Sequence, residues 1–271
     1  MHSMSDLSLL YLAMSAVKQA SYEIMSIYQN QSPSDVMYKS DDSPVTQADI
    51  TSHATIVNIL MGAGLPMVSE EGQIASDQCN QNEGSCFWLI DPLDGTKEFL
   101  SRNDQFTVNI ALVRDGAVVL GVVSEPATDI IYFALKGQGA YRMNKYVSER
   151  IFCSSQSTLS KAKIAVSRSH LNAKDQQFIE THGINQTIPL GSALKYCHIA
   201  MGEVDLSIRH TPLMPWDLAA SDLVVSEAGG VVCDFDKHPY FYKYQSCSKP
   251  LERGLLVSNH HLVSKVEINC D

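Results

Sequence analysis

The sequence lacks any long hydrophobic run. No apolar stretch reaches the ~18 residues that a membrane-spanning helix needs, so we expect no transmembrane segment. The stretch from Leu7 to Val17 is apolar enough for the core of a signal peptide. However, the residues before it contain no Lys or Arg and include the acidic Asp6, which argues against that interpretation. We therefore expect a soluble protein.

Basic residues are also scarce. The chain has 20 Lys and Arg against 30 Asp and Glu, which gives a formal net charge of −10 at pH 7. This balance argues against a nucleic acid polymer or an anionic membrane as the main partner. A site for a phosphate group in such a protein needs metal ions or a few well-placed cations, because the local field is otherwise negative.

Cysteine is present without a recognisable pattern. The count of 7 is odd and no two cysteines have the C-x-x-C spacing, so neither a zinc site nor a small disulfide framework is predicted. Reduced thiols and a cytoplasmic location follow from this. The length of 271 residues suffices for one large domain or for two small ones that share a core.

Hydrophobic spacing in the first half predicts two helices followed by an antiparallel sheet. Apolar residues recur at helical spacing from Leu7 to Tyr28. A second helix is predicted from about Pro44 to Met61, with Thr46 and Asp49 at capping-box spacing. The predicted strands, of which the last four form two hairpins, are Pro66–Ser69, Cys86–Ile90, Phe106–Val113, Ala117–Val123, Ile130–Leu135 and Ala140–Met143.

The second half alternates strands with helices, which indicates an α/β layer. The predicted strands are Lys163–Ser167, Ile184–Pro189, Val204–Ile208, Val231–Asp234 and Leu255–Ser258. The predicted helices are Ala173–His182, Ala193–Met201 and Leu218–Ala228. We expect two subdomains, residues 1–155 and 156–271, with a shared interface and a site in the cleft between them.

The hexapeptide DPLDGT, residues 91–96, places Asp91 and Asp94 in what reads as a tight turn after a buried strand. Two carboxylates so close repel each other unless a cation lies between them. Asp-Pro and Asp-Gly are also common turn dipeptides, so a purely structural role is the alternative. Whichever role the two carboxylates have, Pro92 is expected to end the strand pairing and Gly95 to supply backbone freedom.

Other acidic residues lie at the ends of separate elements. Glu70 and Glu71 follow a short predicted strand, and Asp217 precedes an apolar helix. Asp217 suits a helix N-cap, and Asp49 has a similar structural alternative in the second helix. Taken together, these hard oxygen groups at four element ends have the pattern that a Mg²⁺ cluster requires.

Seven segments resemble the inositol monophosphatase superfamily, with the closest similarity to its 3′(2′),5′-bisphosphate nucleotidases of the CysQ type. They are SPVTQAD (43–49), SEE (69–71), WLIDPLDGTKEF (88–99), FTVNIAL (106–112), SRSH (167–170), GSALKYC (191–197) and WDLAASDLVVSEAGG (216–230). The shared order covers residues 43 to 258. The resemblance implies an α/β (α+β) fold, layered as an αβαβα sandwich.

The resemblance also implies a metal centre that holds two or three Mg²⁺ ions. The implied ligands are Glu70, Asp91, the Leu93 carbonyl, Asp94 and Asp217. The ions would activate a water molecule and neutralise the leaving ester oxygen. In the implied catalytic group, Thr96 binds the attacking water, Asp49 accepts a hydrogen bond from the Thr96 hydroxyl, and Glu70 acts beside them.

The substrate positions implied by the resemblance are Ser167, His170, Gly191, Ser192, Lys195 and Asp217. Lys195 suits a phosphate group, although a solvated helix charge is the alternative. Ser192 also reads as the N-cap of the predicted helix Ala193–Met201. The loop from Arg209 to Pro215 departs from the family pattern, because Thr211 replaces a small glycine, and Leu213 and Met214 replace polar residues.

We therefore expect a phosphatase that hydrolyses the 3′-phosphate of 3′-phosphoadenosine 5′-phosphate, with the sulfated nucleotide of sulfate assimilation as a second candidate substrate. An inositol monophosphatase is the alternative enzyme, and a non-catalytic protein that binds a metal or nucleotide is a third hypothesis. The resemblance implies lithium sensitivity and a small-molecule substrate. It leaves open a monomer or a homodimer, and attachment at the cytoplasmic face of the inner membrane as an alternative location.

Overall fold

The fold was obtained as a computed structural model, which describes residues 4–30, 36–38, 44–74, 86–168 and 172–267. Helix α1, Asp6–Asn30, and helix α2, Gln47–Leu60, confirm the two helices predicted for the first half. The capping box of α2 is also confirmed, since Thr46 and Asp49 exchange hydrogen bonds at its start. Just before α2, strands β1, Val36–Tyr38, and β2, Pro44–Thr46, form a small antiparallel pair.

An eight-stranded sheet follows in the first half. Its strands are β3 Met67–Ser69, β4 Gly72–Ile74, β5 Cys86–Asp94, β6 Thr107–Arg114, β7 Ala117–Glu125, β8 Ile130–Leu135, β9 Ala140–Met143 and β10 Ser148–Ile151. Their order across the sheet is β10-β9-β8-β7-β6-β5-β3-β4. Both predicted hairpins are confirmed, and β3 and β5 pair in parallel whereas the other described neighbours in this sheet are antiparallel.

The short helix α3, Thr96–Leu100, follows β5, and the second half contains a five-stranded sheet. The strands of this sheet are β11 Lys163–Ser167, β12 Gln186–Leu190, β13 Leu206–Arg209, β14 Gly230–Cys233 and β15 Leu255–Asn259. Their order is β12-β11-β13-β15-β14. The helices of this half are α4 Ala173–Thr181, α5 Leu194–Ala200 and α6 Pro215–Glu227. The predicted alternation of strands and helices is therefore confirmed, with small shifts of the ends.

Alternate residues of the strands belong to different hydrophobic cores, because successive side chains of a strand point to opposite faces. On β5, Trp88 and Ile90 pack with α1 and α2, whereas Phe87 and Leu89 pack with α5 and α6. The core around α5 and α6 also includes residues of the second sheet, whose other face packs against α4. The layers are therefore α1/α2, first sheet, α5/α6, second sheet and α4, which confirms the αβαβα sandwich.

Helix α6 lies close against the first sheet at Gly121 of β7. A Cβ atom placed on this glycine would lie 2.3 Å from the carbonyl oxygen of Ala220. No larger residue fits there without a shift of backbone, so Gly121 sets the distance between the sheet and the helix. This matters for the site because α6 also carries Asp217.

None of the helices in the described ranges is long and apolar enough to cross a membrane. The two sheets come from separate halves of the chain, with β10 ending at Ile151 and β11 beginning at Lys163. One hydrophobic core joins both halves through α5 and α6. The division into subdomains 1–155 and 156–271 stays a prediction.

Candidate active site

The end of β5 brings two predicted metal ligands to the edge of the first sheet. Contrary to the predicted turn at residues 91–96, the strand continues through Pro92 to Asp94, and its pairing with β6 shifts in register between Asp91 and Asp94. Such a bulge re-aims side chains without ending the strand. The chain turns only at Gly95, whose φ of 93° favours glycine, and α3 then begins at Thr96.

The neighbouring parallel strand adds Glu70 to the same edge. β3 ends at Ser69, and the Glu70 amide donates a hydrogen bond to the carbonyl oxygen of Ile90 at 3.1 Å. Because β3 and β5 are parallel, their carboxyl ends lie side by side. Glu70, directly after the end of β3, therefore lies beside Asp91 of β5.

Asp217 comes to this edge from the second half of the chain. It is not the N-cap that its place before an apolar stretch suggests, because α6 begins earlier, at Pro215, and puts Asp217 in its first turn. There Asp217 Oδ2 accepts a hydrogen bond from the Met214 amide at 3.1 Å. Proline suits the first helical position, which explains the early start.

These acids surround one cleft, which has a cavity of about 190 Å³. The residues that line it are Glu70, Asp94, Gly95, Thr96, Lys97, Glu98, Ser167, Ser192, Lys195, Tyr196, Arg209 and Asp217. Asp91 lies behind this lining and is buried. Leu93, whose carbonyl is another predicted ligand, is also buried, and its oxygen lies 3.5 Å from Thr96 Oγ1.

The carboxyl groups of the cleft perturb one another. Burial, followed by the charges of Glu70, Asp94 and Asp217, raises the pKa of Asp91 well above its usual value. Burial raises the pKa of Asp217 to about 7, with further increases from Asp94 and Glu70. Asp91 is buried and the other three acids are half-buried, and acids that repel one another in this way call for a compensating cation.

The donor set fits Mg²⁺, which prefers carboxylate and carbonyl oxygens. Glu70, Asp91, Asp94, Asp217 and the Leu93 carbonyl are all oxygen donors, and they come from three separate chain segments, namely the ends of β3 and β5 and the start of α6. The structure thus contains an acidic cluster that could bind a metal. The number of ions stays a prediction.

A different acidic group, at a turn outside the cleft lining, has donor atoms close enough for one metal ion but already makes other hydrogen bonds. Among the described residues, the donor atoms of Asp234, Asp236 and His238 lie within 4.8 Å of one another. Asp234 Oδ1 already accepts hydrogen bonds from the amides of Asp236 and His238, and Oδ2 accepts one from Arg253. We assign no metal to this turn.

Thr96 and Asp49 lie together beside the cleft. The Thr96 hydroxyl is 3.3 Å from Asp49 Oδ1, and Asp49 Oδ2 accepts from the amide and the hydroxyl of Thr46, at 2.7 and 2.6 Å. Burial is the main cause of a raised pKa at Asp49, and the hydrogen bonds from Thr46 lower it in part. The capping box of α2 thus also fixes the carboxylate that faces Thr96.

The loop before α5 carries predicted substrate residues and contributes Ser192 to the lining of the cleft. A Cβ atom on Gly191 would lie 2.6 Å from the Gln105 carbonyl oxygen, so only glycine fits there. Ser192 is not the predicted N-cap, because α5 begins at Leu194 after Ala193 and Ser192 has a φ of 45°. Within the described chain the buried Ser192 Oγ has no hydrogen-bond partner. A left-handed serine with an unsatisfied hydroxyl indicates strain at a functional site.

Lys195 is buried, which rules out the solvated helix charge. Its Nζ donates a hydrogen bond to the Ser192 carbonyl at 2.6 Å, and burial lowers the pKa of this ammonium group to about 8. Ser167, at the end of β11, lines the same cleft. The predicted substrate residue His170 lies outside the described residues.

Arg209, Lys97 and Glu98 line the cleft but are missing from the predicted site. The Arg209 guanidinium donates hydrogen bonds to the Thr211 hydroxyl at 3.0 Å and to the Pro212 carbonyl at 3.1 Å. The unusual loop after β13 therefore holds this arginine in place. The available signal is its position at the carboxyl end of a strand, next to the α6 segment that carries Asp217.

Acidic oxygen donors from three chain segments thus lie around one cleft of an αβαβα sandwich, together with the buried Lys195, and they could hold a metal ion. The chain belongs to the inositol monophosphatase family, because the model of that family matches residues 6–266.

Individual relatives agree with this assignment. The 3′(2′),5′-bisphosphate nucleotidase CysQ of Escherichia coli strain K12 is 37% identical over 227 residues, which are 83% of this chain and 90% of the relative. The crystal structure of CysQ from Bacteroides thetaiotaomicron has a TM-score of 0.76 at 34% identity and covers 93% of this chain and 97% of its own. A Thermotoga maritima IMPase has a TM-score of 0.78 at 26% identity, with coverage of 95% and 94%.

Proposed function

We propose that the protein is a Mg²⁺-dependent phosphatase that hydrolyses the 3′-phosphate of 3′-phosphoadenosine 5′-phosphate to AMP and inorganic phosphate. The observation that carries the proposal is the cleft itself, where Glu70, Asp94 and Asp217 line the same cavity as Lys195 and Arg209. Acidic groups suited to metal ions thus lie close to cations suited to phosphate oxygens. The CysQ relatives carry the name of this nucleotidase activity.

In the proposed site, Glu70, Asp91, the Leu93 carbonyl, Asp94 and Asp217 hold the metal ions. When bound, the ions supply the Lewis acid that activates water and neutralises the leaving oxygen. Their number, two or three, is part of the proposal.

The pair of Thr96 and Asp49 orients the water. Because Asp49 Oδ2 is bonded to Thr46, Oδ1 is the oxygen that faces the Thr96 hydroxyl. When Thr96 donates to Asp49, its oxygen lone pairs can accept a hydrogen bond from water and direct the water oxygen toward phosphorus. Burial of Asp49 raises its pKa and so makes it a better proton acceptor. A protein that merely binds a metal or a nucleotide has no need of this pair.

The substrate contacts are assigned to Ser167, Gly191, Ser192, Lys195 and Arg209, with His170 as a further predicted contact. Lys195 is buried, and a buried cation binds phosphate oxygens more strongly than an exposed one, since water does not screen it. On this proposal, residues 1–155 supply most of the metal ligands, whereas residues 156–271 supply the substrate loops and Asp217.

The location and the assembly belong to the same proposal. Five cysteines of the described chain are free thiols, which supports a reducing compartment such as the cytoplasm, with a role in sulfur assimilation. Attachment at the inner membrane stays a prediction, as does the choice between monomer and homodimer.

The test is phosphate release from 3′-phosphoadenosine 5′-phosphate, its sulfated analogue, AMP and inositol 1-phosphate, with Mg²⁺ and with excess chelator. We expect turnover of the nucleotides with a 3′-phosphate, none of AMP, and complete loss with chelator. A clear preference for inositol 1-phosphate would establish the alternative enzyme. Binding of nucleotide without release from any compound would favour the non-catalytic hypothesis.

A further inference from the structure

Three donors converge on a single oxygen of Asp94. Its Oδ2 accepts a hydrogen bond from the Ala193 amide at 2.7 Å, and longer ones of 3.4 Å from Thr107 Oγ1 and Asn109 Nδ2. The amide belongs to the substrate loop of the second half, while the two side chains belong to β6. None of these donors is among the proposed metal ligands or substrate contacts.

The sheet register explains why the β6 side chains reach this carboxylate. Asp94 pairs with Thr107 and Asp91 pairs with Asn109 across the bulge, and directly paired residues share a face of the sheet. Thr107 and Asn109 are also two residues apart on one strand, which puts both on that face. Both side chains are buried, so their positions are set by the packing of the sheet.

Asn109 is poorly explained as a structural residue. Its Oδ1 is buried and has no hydrogen-bond partner in the described part of the chain. An acceptor left without a donor in the interior costs stability, and an apolar side chain of similar size avoids that cost. The hydrogen bond that its amide group donates to Asp94 is therefore the contact that accounts for an asparagine at this position.

We propose that Asn109 is a positioning residue, assisted by Thr107, which holds Asp94 by Oδ2 so that Oδ1 is directed to a metal ion. The inference rests on the proposed function, because Asp94 is a metal ligand only there. Partners that orient a ligating carboxylate commonly change metal affinity by about 10–100-fold when they are removed. The Ala193 amide is the third donor to Asp94 Oδ2. This oxygen therefore also links the proposed metal ligand to the substrate loop by a hydrogen bond.

The test measures metal binding directly, by calorimetric titration of the metal-free protein with MgCl₂, in wild type and in Asn109→Leu. We expect binding about 10–100-fold weaker in the variant. Unfolding in chelator is measured in parallel, and we expect the metal-free variant to be at least as stable as wild type. A purely structural role predicts the reverse, with lower stability and unchanged affinity of the folded fraction.

Thr107 provides a matched pair of variants. Thr107→Val removes the hydroxyl and keeps the shape, so it should weaken Mg²⁺ binding, whereas Thr107→Ser keeps the hydroxyl and should bind as wild type does. If Asn109→Leu does not fold, this pair carries the test. Affinities within twofold of wild type in the folded variants would overturn the inference alone. A wild-type protein that does not bind Mg²⁺ would overturn the proposed function as well.

Discussion

The contact between Gly121 and helix α6 offers a way to displace a proposed metal ligand without touching it. In Gly121→Ala the new Cβ atom would lie 2.3 Å from the Ala220 carbonyl oxygen, whereas ordinary contacts begin at 3.4 Å. The difference is about 1 Å, and the obstructing atom is backbone, so the strand or the helix must move. Asp217 lies one helical turn before Ala220 and moves with α6.

The expected effect follows from that shift. Overpacking of this kind costs about 1–3 kcal/mol, and each kcal/mol lowers the Tm of a chain of this size by about 2–4 °C. A misplacement of about 1 Å in an active site can reduce turnover by about 100-fold. We therefore expect Gly121→Ala to lower Tm by several degrees and to reduce kcat far more than this loss of stability explains at 25 °C.

The assays are thermal unfolding, Mg²⁺ titration and phosphate release. Gly62→Ala is the matched control, because a Cβ atom on Gly62 would meet no other atom within 4 Å and the residue is not in the left-handed region. The control should change stability by less than about 0.5 kcal/mol and leave turnover unchanged. If the Tm, the Mg²⁺ affinity and the turnover of Gly121→Ala all match those of wild type, the close approach does not set the position of α6.

Three further predictions concern single side chains. Asp94→Asn should abolish phosphate release while the circular dichroism spectrum is retained, since the amide keeps the shape but loses the ligand charge; turnover above roughly a tenth of wild type would contradict its role. Lys195→Ala should raise KM more than it lowers kcat, because it removes binding shared by substrate and transition state, and an unchanged KM would show that Lys195 does not contact the substrate. Asp222, which accepts a hydrogen bond from the Tyr242 hydroxyl at 2.7 Å, has its pKa raised by burial to about 6. The folded protein therefore binds more protons than the unfolded chain between about pH 4 and 6, so the free energy of unfolding should fall as pH rises through that window. The contribution of Asp222 to this fall is at most about 2 kcal/mol, because its side chain is partly exposed. Asp222→Asn should remove this part of the fall in urea unfolding experiments, and an identical pH slope in both proteins would refute the assignment.

The hydrophobic periodicity of the sequence predicts the helices and strands well, because it reflects which residues are buried. The strands Ile130–Leu135, Ala140–Met143 and Lys163–Ser167 begin and end where their apolar pattern predicts. In each case the pattern of apolar and polar residues is a local property of the chain. The capping box of α2 is equally local, since Thr46 and Asp49 are three residues apart.

Contacts between distant segments are beyond such local rules. The motif resemblance predicts that Asp49 and Thr96 meet, but no spacing in the sequence does, because 47 residues separate them. The burial of Lys195 and the approach of Arg209 to the cleft depend in the same way on how α5 and β13 pack. The parallel pairing of β3 with β5 likewise follows from the order of strands in the sheet rather than from the pattern of either strand.

Three local predictions fail at the cleft, and two of the failures have the same physical cause. Pro92 should end a strand, yet β5 continues as a bulge that brings Asp91 and Asp94 to the sheet edge. Ser192 should cap a helix, yet its φ of 45° puts it in the left-handed region beside Lys195. Asp217 is not the N-cap of α6, but the reason is local, because Pro215 suits the first helical position and Asp217 Oδ2 still accepts a hydrogen bond from the Met214 amide. At Pro92 and Ser192, in contrast, tertiary packing overrides the local preference in favour of a side-chain direction that the cleft uses, which is where departures from local rules are expected in a functional protein. Replacing the bulge or the left-handed serine with a locally better sequence would therefore stabilise its own segment while it disperses the proposed ligands.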